Sequence, residues 1–216
     1  MKYGESSFDI IYLCCAVFCG IWILSKRRGK IGALMGSAAL ILGCGDAFHL
    51  IPRVINYFSD ADLSLWLGVG KLVTSVTMTV FYVLMYHLWT MLYDEKGHKA
   101  LTCPVYLLAA VRVILCLFPQ NGWLTNESPL LWGILRNIPF VILGVIIVAL
   151  YFQKRKQLRA FRFIWLLVTL SFLFYIPVTV GTQFVPMLGM LMLPKTVCYM
   201  LIILIFVRYK PNKSRS

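Results

Sequence analysis

The sequence predicts an all-α fold, a polytopic transmembrane bundle of seven helices in a single integral membrane domain spanning residues 1–216. Three observations carry this. Of the 216 residues 60% are hydrophobic and 13% charged, against about 25% charged in an ordinary soluble domain. Apolar runs of 18 or more residues recur along the whole length, each long enough to cross a hydrocarbon core about 30 Å thick. Lysine and arginine alternate sharply between the successive breaks in those runs.

The first segment, about 8–25, begins in a short N-terminal stretch that is acidic at Glu5 and Asp9. That stretch lacks the basic region and the small-residue cleavage site of a signal peptide, so the segment reads as a retained helix. The second, about 31–52, runs from "SKRRGK" to "GCGDAFHLIPR". The third, about 66–93, follows "NYFSDADLS" and is long enough to tilt or to extend into the headgroups. The fourth, about 100–118, follows "YDEKGHK", and the fifth, about 129–152, follows "PQNGWLTNESP". "QKRKQLRAFR" leads into the sixth, about 160–184, and a tight "VPMLG" into the seventh, about 187–207. Prolines 52, 104, 139, 177 and 194 lie in or near spans and predict local kinks whose freed carbonyls need other partners.

The net charge of +13 is explained by its placement. Lys26, Arg27, Arg28 and Lys30 fall in the first break, Lys96 and Lys99 in the third, and Lys154, Arg155, Lys156, Arg159 and Arg162 around the fifth. Arg208, Lys210, Lys213 and Arg215 fall in the tail, while Asp60, Asp62 and Glu127 fall in the intervening breaks. By the positive-inside rule the N-terminus is outside and the C-terminus cytoplasmic. The protein is thus expected in the cell membrane, with lipids as partners and the basic loops drawn to anionic headgroups. Nucleic-acid binding is not needed to account for the charge. The seven cysteines fall mostly inside apolar runs without the spacing of a zinc site or a disulfide framework, so neither a metal nor another cofactor is expected.

One set of ionisable residues is left unexplained by topology: Asp46, Arg53, Lys71, Arg112, Arg136 and Lys195, with His49 beside them. At about 1.5 Å rise per residue, Asp46 lies about 22 Å and Arg112 about 18 Å from the cytoplasmic ends of their segments. Lys71, Arg136 and Lys195 lie about 7, 10 and 12 Å in from the outer ends. Five helices therefore place charge in the outer half of the core, where such residues face the bundle interior, pair, or line a wet cavity.

Polar neighbours follow at helical spacing. Asp46, His49 and Arg53 are i, i+3, i+7; Tyr175, Thr179 and Gln183 are i, i+4, i+8; Lys195 and Tyr199 are i, i+4; and Asn137 adjoins Arg136. Asp46 can neutralise one cation, Lys195 or Arg112. The excess calls for an anion, a phosphate or carboxylate from an anionic lipid or a small molecule, which arginine forks bind bidentately. Plainer readings stand beside this one. Arg53 and Lys71 are placed to snorkel, Arg112 and Arg136 to satisfy helix-end carbonyls, and Asp46 with Lys195 to form a structural ion pair.

At "GDAFHLIPR" the sequence resembles the lysoplasmalogenase family of polytopic membrane hydrolases. The matching residues are Ser37, Gly45, Asp46 and Ala47, and "FYVLMY" in the next span is loosely similar. Family members usually have about eight spans and a later membrane-embedded acid. Here there are seven segments, with no Asp or Glu in the last three. The resemblance implies cleavage of the vinyl-ether bond of a lysoplasmalogen, which begins with protonation of carbon. Asp46 would donate that proton, His49 would relay protons or orient water, and the cations would hold the phosphate. The alternative is a receptor or transporter that uses the same cluster without chemistry. A third reading, a retinal-type sensor, rests on Lys195 in the seventh segment with Asp46 as counter-ion.

Overall fold

The computed structural model describes residues 2–27, 29–59, 61–94, 99–125 and 129–210, without the side chains of Lys2 and Lys99. Arg28, Asp60, Lys96, His98, Glu127, Lys213 and Arg215 lie outside them. Seven helices carry the described chain: α1 Lys2–Lys26, α2 Lys30–Phe58, α3 Ser64–Leu92, α4 Lys99–Leu117, α5 Leu130–Gln153, α6 Ile164–Gly181 and α7 Met192–Arg208. Short 3-10 turns at Pro119–Asn121, Arg159–Phe161 and Pro186–Leu191 precede α5, α6 and α7. All seven are apolar enough to cross a membrane, those of α6 and α7 together with the turns before them. This is the build of a multi-pass membrane protein.

Each helix packs on its neighbours in the chain, and α7 closes the ring against α1. The odd number of passes makes α1 and α7 run parallel. Where both end, Arg27 donates to the Val207 carbonyl at 3.0 Å, a cation on the negative end of a helix. The core runs through the ring as an aromatic column. Phe81, Tyr82, Phe140 and Tyr199 are almost wholly buried and meet edge to face, with centroids 5.0 Å apart for Tyr82–Phe140 and 5.7 Å for Phe81–Tyr199.

The two boundaries that differ most from the sequence expectation both matter for the site. The first helix starts at Lys2, so Glu5 rides on it together with Asp9 instead of preceding it. Its inward seam is Asp9, Tyr12, Ala16 and Ile23, none more than 3% exposed. The second helix continues through Pro52 and Arg53 to Phe58. Pro52 removes only the bond to the Phe48 carbonyl, four residues back, and a neighbouring helix can re-satisfy such a group. Here α3 comes up against it: a Cβ on Gly70 would collide with that carbonyl.

Glycines also seat α2 between its neighbours. A Cβ on Gly43 would lie 2.8 Å from the Ala16 Cβ of α1, and one on Gly45 2.6 Å from the Thr77 Cβ of α3. The two glycines beside Cys44 thus admit different helices. Thr74 then donates to the Gly45 carbonyl at 3.1 Å, stitching α3 to α2.

Candidate functional site

Close packing of α1, α2 and α3 fixes the direction of Asp46, the residue after Gly45. Its Oδ2 accepts a 2.6 Å hydrogen bond from the Tyr12 hydroxyl, and it interacts electrostatically with Lys195 of α7 and Asp9 of α1. Lys195 is only 8% exposed. Its Nζ stands 4.3 Å from the Tyr175 ring centroid and 5.8 Å from that of Tyr199. Below it, Tyr199 and Tyr82 share a hydroxyl–hydroxyl bond of 3.2 Å, and Ser171 donates to Tyr199 at 3.4 Å.

Arg112 enters the same region from α4, at 2% exposure. Its guanidinium carbon lies 3.2 Å above the centroid of the Phe140 ring. Its Nε and Nη1 have no hydrogen-bond partner, and among the described residues no carboxylate forms an ion pair with it. Tyr175 is the common neighbour, within electrostatic reach of Arg112, Lys195 and Arg136. The Tyr175 hydroxyl donates to Asn137 Oδ1 at 2.8 Å, and Asn137 in turn donates to the Gly133 carbonyl at 2.8 Å.

Arg136 is held apart from helix-end carbonyls, contrary to one of the plainer readings. Carbonyls at and just past the end of α4 go to other donors: Asn121 gives its amide to Leu115 and to Phe118 beyond the helix at 2.8 and 2.9 Å, and Trp123 gives its indole N–H to Cys116 at 2.7 Å. Gly122 makes this fold-back possible with φ 69°, a left-handed conformation natural to glycine. Arg136 then donates to Asn121 Oδ1 at 2.7 Å and lies over the Trp123 ring at 4.4 Å. Lys71 is half-buried and interacts with Arg136 and His49. The His49 ring meets the Leu67 backbone, while its Nδ1 is buried without a partner.

The residues predicted from sequence therefore divide. Asp46, His49, Lys71, Arg112, Arg136, Asn137, Tyr175, Lys195 and Tyr199 fall in one connected region between α1, α2, α3, α4, α5, α6 and α7. Arg53 lies at the edge of this region, toward the N-terminal end of α1, within electrostatic reach of His49 and Asp9. It pairs with Glu5 at 3.5 Å and bonds the Tyr57 hydroxyl at 3.1 Å, which donates to Glu5 at 2.8 Å. Gln183 is exposed on the turn beyond α6. That helix stops at Gly181, whose carbonyl takes the N–H groups of both Phe184 and Val185, so the expected stripe ends at Thr179.

Asp46 is also not the sole acid: Asp9, 3% exposed, has an unpartnered Oδ2 on the same α1–α2 seam. Asp9, Tyr12, Asn121 and Trp123 are members of the site that sequence patterning does not single out. The i, i+3 spacing of Asp9 and Tyr12 is visible in the sequence, and so is Asn-Gly-Trp, a turn signal followed by a donor ring. Among the described residues no three of His, Cys, Asp and Glu gather closely enough to hold a metal ion. No family model, curated protein or solved structure matches the chain.

Proposed function

We propose that this membrane protein binds an anionic group, a phosphate or a carboxylate, between Arg112 and Lys195, with Arg136 and Lys71 flanking it. One observation carries the reading: a guanidinium 2% exposed, with two nitrogens unpartnered and no carboxylate against it. An uncompensated charge buried in a bundle costs several kcal/mol, and intramembrane charges of this kind mark ligand and ion pathways. Asp46 accepts from Tyr12 and lies within electrostatic reach of Lys195, and among the described residues neither Lys195 nor Arg112 forms an ion pair with a carboxylate. By the positive-inside rule, the end of the bundle nearest the site faces outward, and the ligand arrives from that side.

The test is binding of inorganic phosphate and glycerol 3-phosphate to purified protein in phosphatidylcholine nanodiscs. Saturable binding that falls about tenfold or more in Arg112→Gln and in Lys195→Gln is the expected result. Absence of saturable binding in the wild type, or an Arg112→Gln variant that binds equally well, overturns it.

A lysoplasmalogenase-like hydrolase is the second reading, favoured by Asp46 and His49 lying on one face of α2. Its chemistry needs Asp46 as a proton donor. A carboxylate that accepts from Tyr12 within electrostatic reach of Lys195 can also serve as counter-ion, a role that needs no turnover. Aldehyde release from a lysoplasmalogen, lost in Asp46→Asn, would decide for the enzyme.

A further inference from the structure

On the outer flank of the site, α5 and α6 part to leave a groove of about 330 Å³, the lower end of the ~300–1,000 Å³ range of ligand sites. Each helix carries a proline at this level, Pro139 and Pro177, and each ring disrupts the local hydrogen-bond ladder. Further along, Gly144 lets Phe172 press directly on the α5 backbone, so the helices close again and the groove ends. It runs from Ile134 and Val180 to Ile142 and Ile176, about 12 Å along the axis. Its rim residues Ile138, Ile142, Ile176 and Val180 are 41–50% exposed on the outside of the bundle, so it opens sideways toward lipid.

Its surface is almost wholly apolar, yet Asn137, Tyr175 and Thr179 are among its lining residues, and the first two belong to the cation site. The Tyr175 ring that borders the groove also receives Lys195 at 4.3 Å. That ring, whose hydroxyl donates to Asn137, and the Phe140 ring packed on it form the wall between the groove and the cations. A groove of this volume and length has room for a hydrocarbon chain laid along the α5–α6 seam.

Resting on the anion-binding reading above, we infer that the ligand is a single-chain anionic amphiphile taken sideways from the bilayer. Its alkyl chain lies in the α5–α6 groove and its head lies between Arg112 and Lys195. Charge complementarity selects the head, and the apolar walls select the chain. A free inorganic anion satisfies the first requirement and makes no use of the second.

Three probes separate the contributions in phosphatidylcholine nanodiscs: dodecyl phosphate, inorganic phosphate and dodecanol. Expected is binding of dodecyl phosphate about tenfold or more tighter than either of the others. Ile138→Trp and Ile176→Trp fill the groove from opposite walls. Each should weaken dodecyl phosphate at least fivefold and leave inorganic phosphate unchanged. Because both positions are on the exposed rim, the melting temperature of each variant checks the fold, and either variant alone suffices. A photoreactive group at the chain terminus should label α5 or α6.

Equal affinity for the two phosphates, with no effect of either tryptophan, overturns the inference and leaves the anion site standing. Dodecanol binding as tightly as dodecyl phosphate, or labelling away from α5 and α6, overturns it as well. A dimer that both tryptophans dissociate would assign the groove to a second copy of the chain, with the same consequence. Failure of both phosphates to bind removes the anion site itself.

Discussion

Tyr12 of α1 donates a 2.6 Å hydrogen bond to Oδ2 of Asp46 on α2, and this contact joins the acidic seam of the first helix to the cationic centre of the bundle. On one side of it lie Asp9 and Ser6, both buried with unpartnered oxygens. On the other lies Lys195 of α7, within electrostatic reach of Asp46 but not in the ion pair that the plainer reading expected. The residue pair therefore decides how much of the cationic excess Asp46 can offset, and it does so through two helices that adjoin α7.

Removing the hydroxyl with Tyr12→Phe should destabilise the protein. Bonds to charged groups are worth about 1.5–3 kcal/mol in water-soluble proteins, while interhelical bonds in membranes average about 0.6 and reach about 1.7. The membrane range governs here. A double-mutant cycle with Asp46→Asn, followed by unfolding in detergent, should return a coupling of about 0.6–1.7 kcal/mol. A coupling of zero would mean that the contact contributes nothing to the fold.

Gly45 and Gly133 offer a matched comparison. An added Cβ at Gly45 meets Thr77 at 2.6 Å to its Cβ, whereas at Gly133 nothing lies within 4 Å. Gly45→Ala should cost about 1–3 kcal/mol as an overpacked contact and push α3 away from Asp46. Gly133→Ala should be neutral or stabilising, since Ala is the better helix former by about 1 kcal/mol. Equal effects in thermal unfolding would contradict the packing of α2 on α3.

Arg112→Met should raise the melting temperature of the ligand-free protein. The variant loses a cation–π contact with Phe140 worth about 2 kcal/mol when desolvated. It also relieves a desolvation cost of several kcal/mol for an unpaired ion, and that relief outweighs the lost contact. Phosphate should stabilise the wild type and leave this variant unmoved. A variant that melts lower than the ligand-free wild type would show that Arg112 already has its counter-charge within the fold.

Outside the spans, Asp62 accepts from the Ser64 hydroxyl at 2.6 Å and from the Ser64 N–H at 3.0 Å, which holds its carboxyl below the ordinary value of 3.8. A lowered folded pKa gives a contribution that is complete above the unfolded value and is lost as pH falls through the folded one. Carboxyl NMR should therefore show Asp62 titrating below 3.8, and Ser64→Ala should return it toward that value. An unchanged titration would mean that the two bonds do not form at the start of α3.

Much of the fold was legible because membrane solvation writes it into the chain. Backbone polar groups cannot be left unsatisfied in lipid, so long apolar runs must be helices, and the breaks between them are basic or turn-rich. The ends were less legible. Residues 2–8 and 53–58 are too polar to look like spans, yet both are helical, because Glu5, Arg53 and Tyr57 satisfy one another across α1 and α2.

That five helices carry charge in one half of the bundle follows from the amino-acid order alone, since depth is set by position along a helix of fixed rise. Which charges meet does not follow from it. Rotation about each helix axis is set by contacts between helices, here by Gly43 against α1, Gly45 against α3 and Gly144 against Phe172. Only tertiary packing engaged Asp46 with Tyr12, gave Arg53 to Glu5, folded Asn121 back onto α4 to hold Arg136, and left the Arg112 guanidinium buried without an anion. The partners of a buried charge depend on distances of a few ångströms between helices remote in sequence, and no local spacing encodes those.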